Sequence, residues 1–598
     1  MRDILQYYET ELDYMQRSFE AFEKAHPQAA HTLGISAGKS DDPDIQRLSD
    51  SMALLAARLS KRLDETIPEI ALDITRVICP VFLLGTPSYC PVQLTKGTGA
   101  LGEKTQVKKG TELIFLSGDE KPLCKFVAAC SMDIAPLVVT DAKLETAPFP
   151  FQGPQDFTNI DTALTLNLSC EDPETLLGEM GMDTLSFYVC APAGRKRRLV
   201  DALAGEVKAF GVGLDKGHQT HWLDCKALKL TLVESYSTFL PTTATTPPGI
   251  ASLRDFLSYP DQASYFEVSG LGPILAKHPA NEISLRFFIG ANMAKHLGEV
   301  QTSDFALNVI PLVNCYPDKS RPLRYDFARE QIPLFPSSAD EMDVVSLQLD
   351  GIDKLTPEGP IPLPSITTAD RKRKPDLVLW QERHTSAEFD RTRRAVSFSM
   401  PTNNNRGNNA VPEPIDIIGS LLCSNGLQAS RPRPGSKVSF SSDTLSEIPF
   451  TVLAEPSSPV LPEYDPQQLW QLLALINANF SSIFDAPDPR QALKDALHIC
   501  SPAGYSEAAN ALWEVTVTRS IAPISIGKSV LLAAGSNIEV VLDLAPLPYA
   551  PHVFAVVLNR FFRTFVSYDR FFQLTVRERG QNQPLHVFPK THGGTLCG

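Results

Sequence analysis

Gly34-Ile35-Ser36-Ala37-Gly38 has the spacing of a nucleophile elbow, G-x-S-x-G. Such an elbow activates its serine only where a strand delivers it to a strained turn ahead of a helix. The residues upstream carry a helical apolar period, so the delivering strand is missing. The same stretch closes on Gly38-Lys39-Ser40, the ending of a phosphate-binding loop. That loop needs four residues between its glycines, and only three separate Gly34 from Gly38. A hydrolase using Ser36 is therefore the weaker reading, and a flexible glycine turn between two helices the stronger. His218-Gln219-Thr220-His221, with Asp224 and Cys225, has the residue types of a zinc site. Zinc requires three or four ligands converging on one point, and no second cluster complements this one. The segment reads as a surface loop entering a strand. The other histidines are isolated, and spacing alone does not reveal an acid/base pair. No catalytic residue, metal or other cofactor is assigned.

Nothing in these residues rises above background for catalysis, and composition narrows the choice of function. At 598 residues it is too long for one core, and roughly three to five units are expected. Its 48 prolines cannot donate to helices or central strands, which implies many short elements joined by fixed turns. A net charge of -14 repels nucleic acid and anionic membranes. The basic runs Arg195-Lys196-Arg197-Arg198 and Arg371-Lys372-Arg373-Lys374 lack interleaved aromatic residues. They read as solvated helix starts or loops, with contact to an acidic protein as the other reading. The 11 cysteines include no C-x-x-C pair, the pattern of a reducing compartment. The opening MRDILQYYETELDY is too acidic for a signal peptide, and no apolar run reaches the ~18–20 residues of a membrane span. A cytoplasmic protein without membrane insertion is expected.

Leu5, Tyr8, Leu12, Met15, Phe19 and Phe22 recur at heptad spacing, the mark of an amphipathic helix. A second stripe, Ile45, Leu48, Met52, Leu55 and Leu59, follows Asp42-Pro43, a capping aspartate and a first-turn proline. A third helix is expected over Pro68 to Cys79. Two such seams form a helical bundle, closed either within this chain or with partner subunits. From Tyr89 to about Phe450 short alternating strands take over, as in Leu164–Leu168, Leu228–Leu232 and Val345–Leu349. Loops are expected at 237–249 and, mobile, at 400–414. Asp465-Pro466 and Asp488-Pro489 repeat the cap-and-proline start, the first ahead of Leu469, Leu472, Leu473 and Ile476. The C-terminal block alternates at Trp513, Val515 and Val517, at Ile538, Val540 and Leu542, and at Phe572, Leu574 and Val576, around a helix from Pro551 to Val566. The expected fold is α+β: an N-terminal helical region 1–88, β-rich units 89–250 and 251–455, helices 456–505 and an α+β unit 506–598.

Several segments, taken in order, resemble the TssF family of type VI secretion baseplate subunits. Tyr7-Tyr8-Glu9 with Glu11-Leu12 and Tyr14 is similar to the family's opening. Leu54-Leu55-Ala56-Ala57-Arg58-Leu59, Leu63 to Glu69, and Cys79-Pro80 to Pro87-Ser88 follow. Ile310-Pro311-Leu312-Val313-Asn314-Cys315-Tyr316 resembles its P-V-V-N-L-F segment, and Cys423-Ser424-Asn425-Gly426 its C-T-N-R segment. Leu469 to Leu473 and Leu558 to Leu574 complete the order. The departures are Cys315-Tyr316 for Leu-Phe, and Ser424 and Gly426 for Thr and Arg. The resemblance implies an elongated, multi-domain, non-catalytic wedge subunit. It implies two copies per TssG, contacts with TssK, TssE, the VgrG hub and neighbouring copies, and docking through the baseplate at the inner-membrane complex. Such a wedge nucleates tube and sheath and transmits the trigger for contraction. A wedge of a related contractile phage-tail-like particle is the alternative. On this reading Tyr8, Leu12, Met15, Phe19, Phe22, Ile45, Leu48, Met52, Leu55 and Leu59 meet other chains.

Overall fold

The computed structural model describes the chain apart from residues 1–3, 33, 37–38, 41, 96–103, 117–121, 155–159, 173–175, 215–217, 235–236, 279, 291–296, 330, 341, 368–377, 384–393, 400–412, 441–447, 463–464, 479–485, 503, 527–528, 568–569 and 593–598. The basic run at 371–374 and nearly all of the expected mobile loop lie outside the described residues.

Helix α1 spans Ile4–Ala25 and helix α2 spans Pro43–Ile78. Asp42 caps α2, its carboxylate accepting from Asp44 N at 2.9 Å, with Pro43 in the first turn. A separate third helix is not formed: α2 runs unbroken through Pro68 for 36 residues, ~54 Å at 1.5 Å per residue. A proline removes one ladder hydrogen bond and crowds the preceding turn, at a cost of about 3 kcal/mol. That cost is offset by packing on both sides, against α1 in the N-terminal half and against Pro466–Ile476 near the C-terminal end. The end itself is capped across the chain. Thr245 Oγ1 donates to Val77 O at 2.9 Å and Thr246 Oγ1 to Ile78 O at 3.1 Å. The Thr-rich loop at 237–247 thereby satisfies carbonyls that a helix terminus otherwise leaves orphaned.

The strands build several sheets. Strand β1 (Tyr89–Leu94) and strand β2 (Val309–Val313) lie side by side in a closed six-stranded barrel, whose other strands are Phe450–Val452, Lys437–Phe440, Glu112–Leu116 and Pro122–Ala128. Val92, Phe115, Phe126, Leu312 and Phe450 fill its core. A five-stranded sheet runs in the order His221–Leu223, Val207–Leu214, Glu282–Gly290, Ile160–Cys170, Leu137–Thr146. Leu228–Leu232 is not one strand: pairing covers Leu228–Leu230, and Thr231–Glu234 is a helical turn. Leu232 and Val233 are both buried, which adjacent residues on an alternating strand do not achieve. Strand β3 (Ile415–Ser424) is central to another sheet, between Val345–Thr356 and Tyr316–Lys319.

Three helices, α3 (Ala193–Gly205), α4 (Pro248–Ser258) and α5 (Pro466–Ile476), precede α6 (Pro489–Cys500) and α7 (Pro551–Arg563). Asp465 and Asp488 cap α5 and α6 as their Asp-Pro starts predict. In the C-terminal sheet β4 (Leu512–Ile526) and β5 (Ser529–Leu542) form a long antiparallel hairpin. Strand β6 (Arg570–Glu578) returns through α7 to pair parallel with β5. The expected alternation holds at Val515, Ile538, Val540, Phe572, Leu574 and Val576, but Trp513 is exposed. A register shift between Leu512 and Glu514 turns it outward, where the Arg579 guanidinium lies 3.4 Å from its ring centre. One apolar core joins residues as distant as Ala135 and Phe588, and it unites α3, α4, α6 and α7 with strands of three sheets.

Candidate assembly interface

The residues that might have done chemistry are dispersed. Ser36 ends a two-residue strand, Ile35–Ser36, that pairs back on Lys39–Ser40, with Gly34 at φ +61°. This is a tight hairpin between helices, and its side chains lie outside the described residues. His218 Nδ1 contacts Pro150 O, the His221 ring lies 4.9 Å from that of His278, and Asp224 caps its own turn by accepting from Lys226 N. Among the described residues no group of three or more His, Cys, Asp or Glu side chains converges as metal ligands would. Asp255 is fully buried and burial raises its carboxyl to about 7, although Phe239 N donates to both oxygens at 3.1 Å and Gln262 Nε2 at 2.8 Å. The cavity it lines, of about 10 Å³, has room for a water and not for a substrate.

The run 195–198 is not a solvated helix start. It begins α3, but Arg195 Nη2 binds Asp304 at 2.7 Å, Lys196 pairs with Asp261 and reaches Tyr188 OH at 2.9 Å, and Arg197 donates to Leu544 O at 3.0 Å. Asp261 in turn accepts from Tyr89 and Tyr188, both at 2.8 Å. These cations serve this chain's own packing.

The polar centre of the fold is an interlocked amide pair. Asn314, just past β2, and Asn425, just past β3, are buried, and Asn314 Nδ2 donates to Asn425 Oδ1 at 2.8 Å. Asn425 N and Ser424 Oγ both donate to Asn314 Oδ1 at 2.7 Å. Lys125 closes the ring, its N–H donating to Asn425 Oδ1 at 2.9 Å and its carbonyl accepting from Asn314.

The ten residues expected to meet other chains stand apart from all of this. Helix α1 packs on α2, and Ser60 Oγ donates to Glu11 at 2.8 Å. In that half of α2 the buried residues are small: Ser49, Ala53 and Ala57. Small side chains let the two helices approach closely, and they leave Tyr8, Leu12, Met15, Phe19 and Phe22 only half-buried. The larger apolar residues of α2 point the other way. Leu48, Met52, Leu55 and Leu59 are 54–63% exposed, and Ile70, Ile74 and Val77 extend the same helical stripe. Ile45 sits on the first turn with its side chain outside the described residues. The ten expected interface residues thus divide into one set turned toward this chain and one turned away. Spacing marks both seams as apolar, and the intervening alanines were the sign of which one closes internally.

No helix among the described residues is long and apolar enough to cross a membrane. A fold of interleaved cores with a bare apolar helix face defines a subunit built for a larger assembly. The family model "Type VI secretion system, TssF" matches residues 1–595, and the chain belongs to that family. It is 21% identical to the type VI secretion system component TssF1 of Pseudomonas aeruginosa, over 97% of each chain. It is similar in fold to a chain of the type VI secretion TssK-TssF-TssG baseplate subcomplex, with a TM-score of 0.70 at 15% identity over 91% of this chain and 99% of the other. A chain of the baseplate complex from the type VI secretion system matches with a TM-score of 0.52 at 15% identity, over 99% and 100%.

Proposed function

We propose that this chain is a cytoplasmic wedge subunit of a type VI secretion baseplate, joined to its partners through the bare face of α2. Membership of the TssF family and likeness to chains of baseplate complexes support that placement. The observation that carries the interface is the exposure of Leu48, Met52, Leu55 and Leu59 on one side of α2. Burying such a side chain gains about 1.5–3 kcal/mol, so this stripe favours an apolar helix laid along it. TssG is the partner assigned there, with the α1 stripe completing the bundle, in an assembly of two copies of this chain per TssG. TssK, TssE, the VgrG hub and neighbouring copies complete the contacts, and the wedge docks at the inner-membrane complex. Its work is mechanical: it positions the spike, nucleates tube and sheath, and passes on the trigger for contraction, with no catalytic step of its own.

The test is co-purification with TssG of two double variants, Leu12→Asp with Phe19→Asp and Leu55→Asp with Leu59→Asp. The expected result is loss of the complex, with the circular dichroism spectrum kept in the Leu55/Leu59 variant, whose side chains are exposed. Wild-type recovery of TssG by both variants would remove α1 and α2 from the interface.

A further inference from the structure

Asn425-Gly426 is the one Asn-Gly dipeptide in the 598 residues. Gly426 is a departure from the C-T-N-R segment, so the dipeptide belongs to this chain and not to that pattern. Asparagine followed by glycine is the pair most prone to losing ammonia, because no side chain shields the glycine nitrogen. That nitrogen gives up its proton and attacks Asn425 Cγ. The new N–Cγ bond closes a five-membered succinimide, the Cγ–Nδ2 bond breaks, and Nδ2 leaves as ammonia. Water then opens the ring to aspartate or isoaspartate, so the balance is one water taken up and one ammonia released.

The fold holds the reacting atoms out of place. Ring closure requires the Gly426 nitrogen to eclipse Asn425 Cβ about the Cα–C bond. With Asn425 at ψ 11° it eclipses the Asn425 nitrogen instead. The attacking group is also engaged, since Gly426 N donates to Ser424 Oγ at 3.1 Å. The amide under attack is fixed at both ends. Its Oδ1 accepts from Asn314 Nδ2 and Lys125 N, and Nδ2, the leaving group, donates to Asp343 O at 2.8 Å. Asn425 N donates to Asn314 Oδ1 and so resists the turn in the backbone. Ser424 and Asn425 are both buried, which keeps away the water that opens the ring.

We infer that Asn425-Gly426 is a deamidation site kept latent by the Asn314 clasp, and that it reacts in chains left unfolded. The step runs one way. An aspartate at 425 puts a carboxylate oxygen where Nδ2 faced the Asp343 carbonyl, with no proton between two acceptors at a buried site. Isoaspartate lengthens the backbone and moves the side chain off all its partners. A chain that has reacted therefore cannot rebuild the junction of barrel and sheet. The inference goes beyond the baseplate reading and does not depend on it.

The test ages the full chain, folded in buffer and unfolded in guanidinium chloride, at one mildly alkaline pH. Peptide mass mapping follows aspartate and isoaspartate at 425. The folded chain is expected to react about tenfold or more slowly, as local opening limits the rate. Ser424→Ala frees the Gly426 N–H and is expected to speed the folded-state reaction about two- to tenfold, the factor set by one net hydrogen bond. Asn314→Ala speeds it further, and Ser424→Ala carries the test alone if that variant does not fold. Equal rates at 425 in folded and unfolded wild-type chain overturn the proposal. So does a folded-state rate that Ser424→Ala leaves unchanged. Amide exchange across β2 and β3 should stay as slow as in wild type, and exchange accelerated as much as deamidation would assign the effect to unfolding and overturn the role of the clasp. Asn425→Asp, the direct product, should lower the urea midpoint, and an unchanged midpoint overturns the one-way step.

Discussion

Asn314 and Asn425, 111 residues apart, clasp each other through a side-chain hydrogen bond of 2.8 Å at the junction of barrel and sheet. Each comes from one of the two internal segments that resemble the TssF family. Ser424 keeps the hydroxyl that a threonine there would supply, and it uses it on Asn314 Oδ1. The Cys315-Tyr316 departure is absorbed nearby: both side chains are buried, and the Tyr316 ring takes the Lys125 ammonium at 5.1 Å.

Asn314→Ala should be among the most damaging single changes. It strips partners from Ser424, the Asn425 amide, Asn425 Oδ1 and the Lys125 carbonyl, all at a buried site. Unsatisfied buried groups cost about 1–3 kcal/mol each. The urea midpoint should fall sharply, and Asn314→Asp should rescue only part of it. A midpoint within experimental error of wild type would show that water replaces the lost amide.

His552 couples stability to pH. It is buried, which lowers its pKa, but the Asp201 hydrogen bond at 3.0 Å and the charges of Asp201 and Glu206 outweigh burial and raise it. A raised histidine stabilises fully below its unfolded value near 6.5, and the contribution disappears as pH climbs through the folded value. Unfolding curves should show that loss as pH rises beyond the unfolded value, and Asp201→Asn should flatten it. Gly205→Ala should break the same junction of α3 and α7, since its methyl would meet the His552 ring at 1.9 Å.

Asp255 acts in a different window. Burial raises its carboxyl from 3.8 to about 7, so between those values the folded chain holds a proton the unfolded chain has released. Stability therefore declines as pH rises from 3.8 to about 7 and levels off above it. Asp255→Asn removes this slope. A decline that persists in the Asn variant would assign it to another group.

Helix α2 should respond oppositely on its two sides. Leu55→Asp with Leu59→Asp should change the melting of the isolated chain by no more than about 0.5 kcal/mol, as exposed sites do. Ala53→Leu with Ala57→Leu crowds the α1 contact and should cost about 1–3 kcal/mol. Limited proteolysis within α1 distinguishes them: only the alanine variant should be cut faster.

What could be read from the chain was local. Asp42-Pro43, Asp465-Pro466 and Asp488-Pro489 each start a helix because cap and proline act within one turn. Alternation in β5 and β6 is likewise a property of neighbouring residues. Features set by distant partners were not legible. Pro68 does not end α2 because α1, α5 and Thr245-Thr246 hold the helix on either side. The cations of 195–198 are taken up by Asp304, Asp261 and the carbonyl of Leu544, which no local pattern announces. Trp513 breaks phase because one extra residue bulges at the start of its strand. Both seams were visible as apolar periods, but which one stays bare depends on the placing of alanines between the leucines.

The far end of α2 is bolted down. Asp73 accepts from Gln381 at 2.9 Å, Arg76 reaches Glu382 at 3.2 Å, and the two terminal carbonyls are tied to Thr245 and Thr246. Leu48 lies 25 residues up the same rod, ~37 Å away at 1.5 Å per residue. A stiff shaft seated at one end behaves as a lever. Tilting its free end delivers torque to the strand Leu379–Arg383 and to the threonine loop, where hydrogen bonds of fixed geometry must yield before the body can stay still.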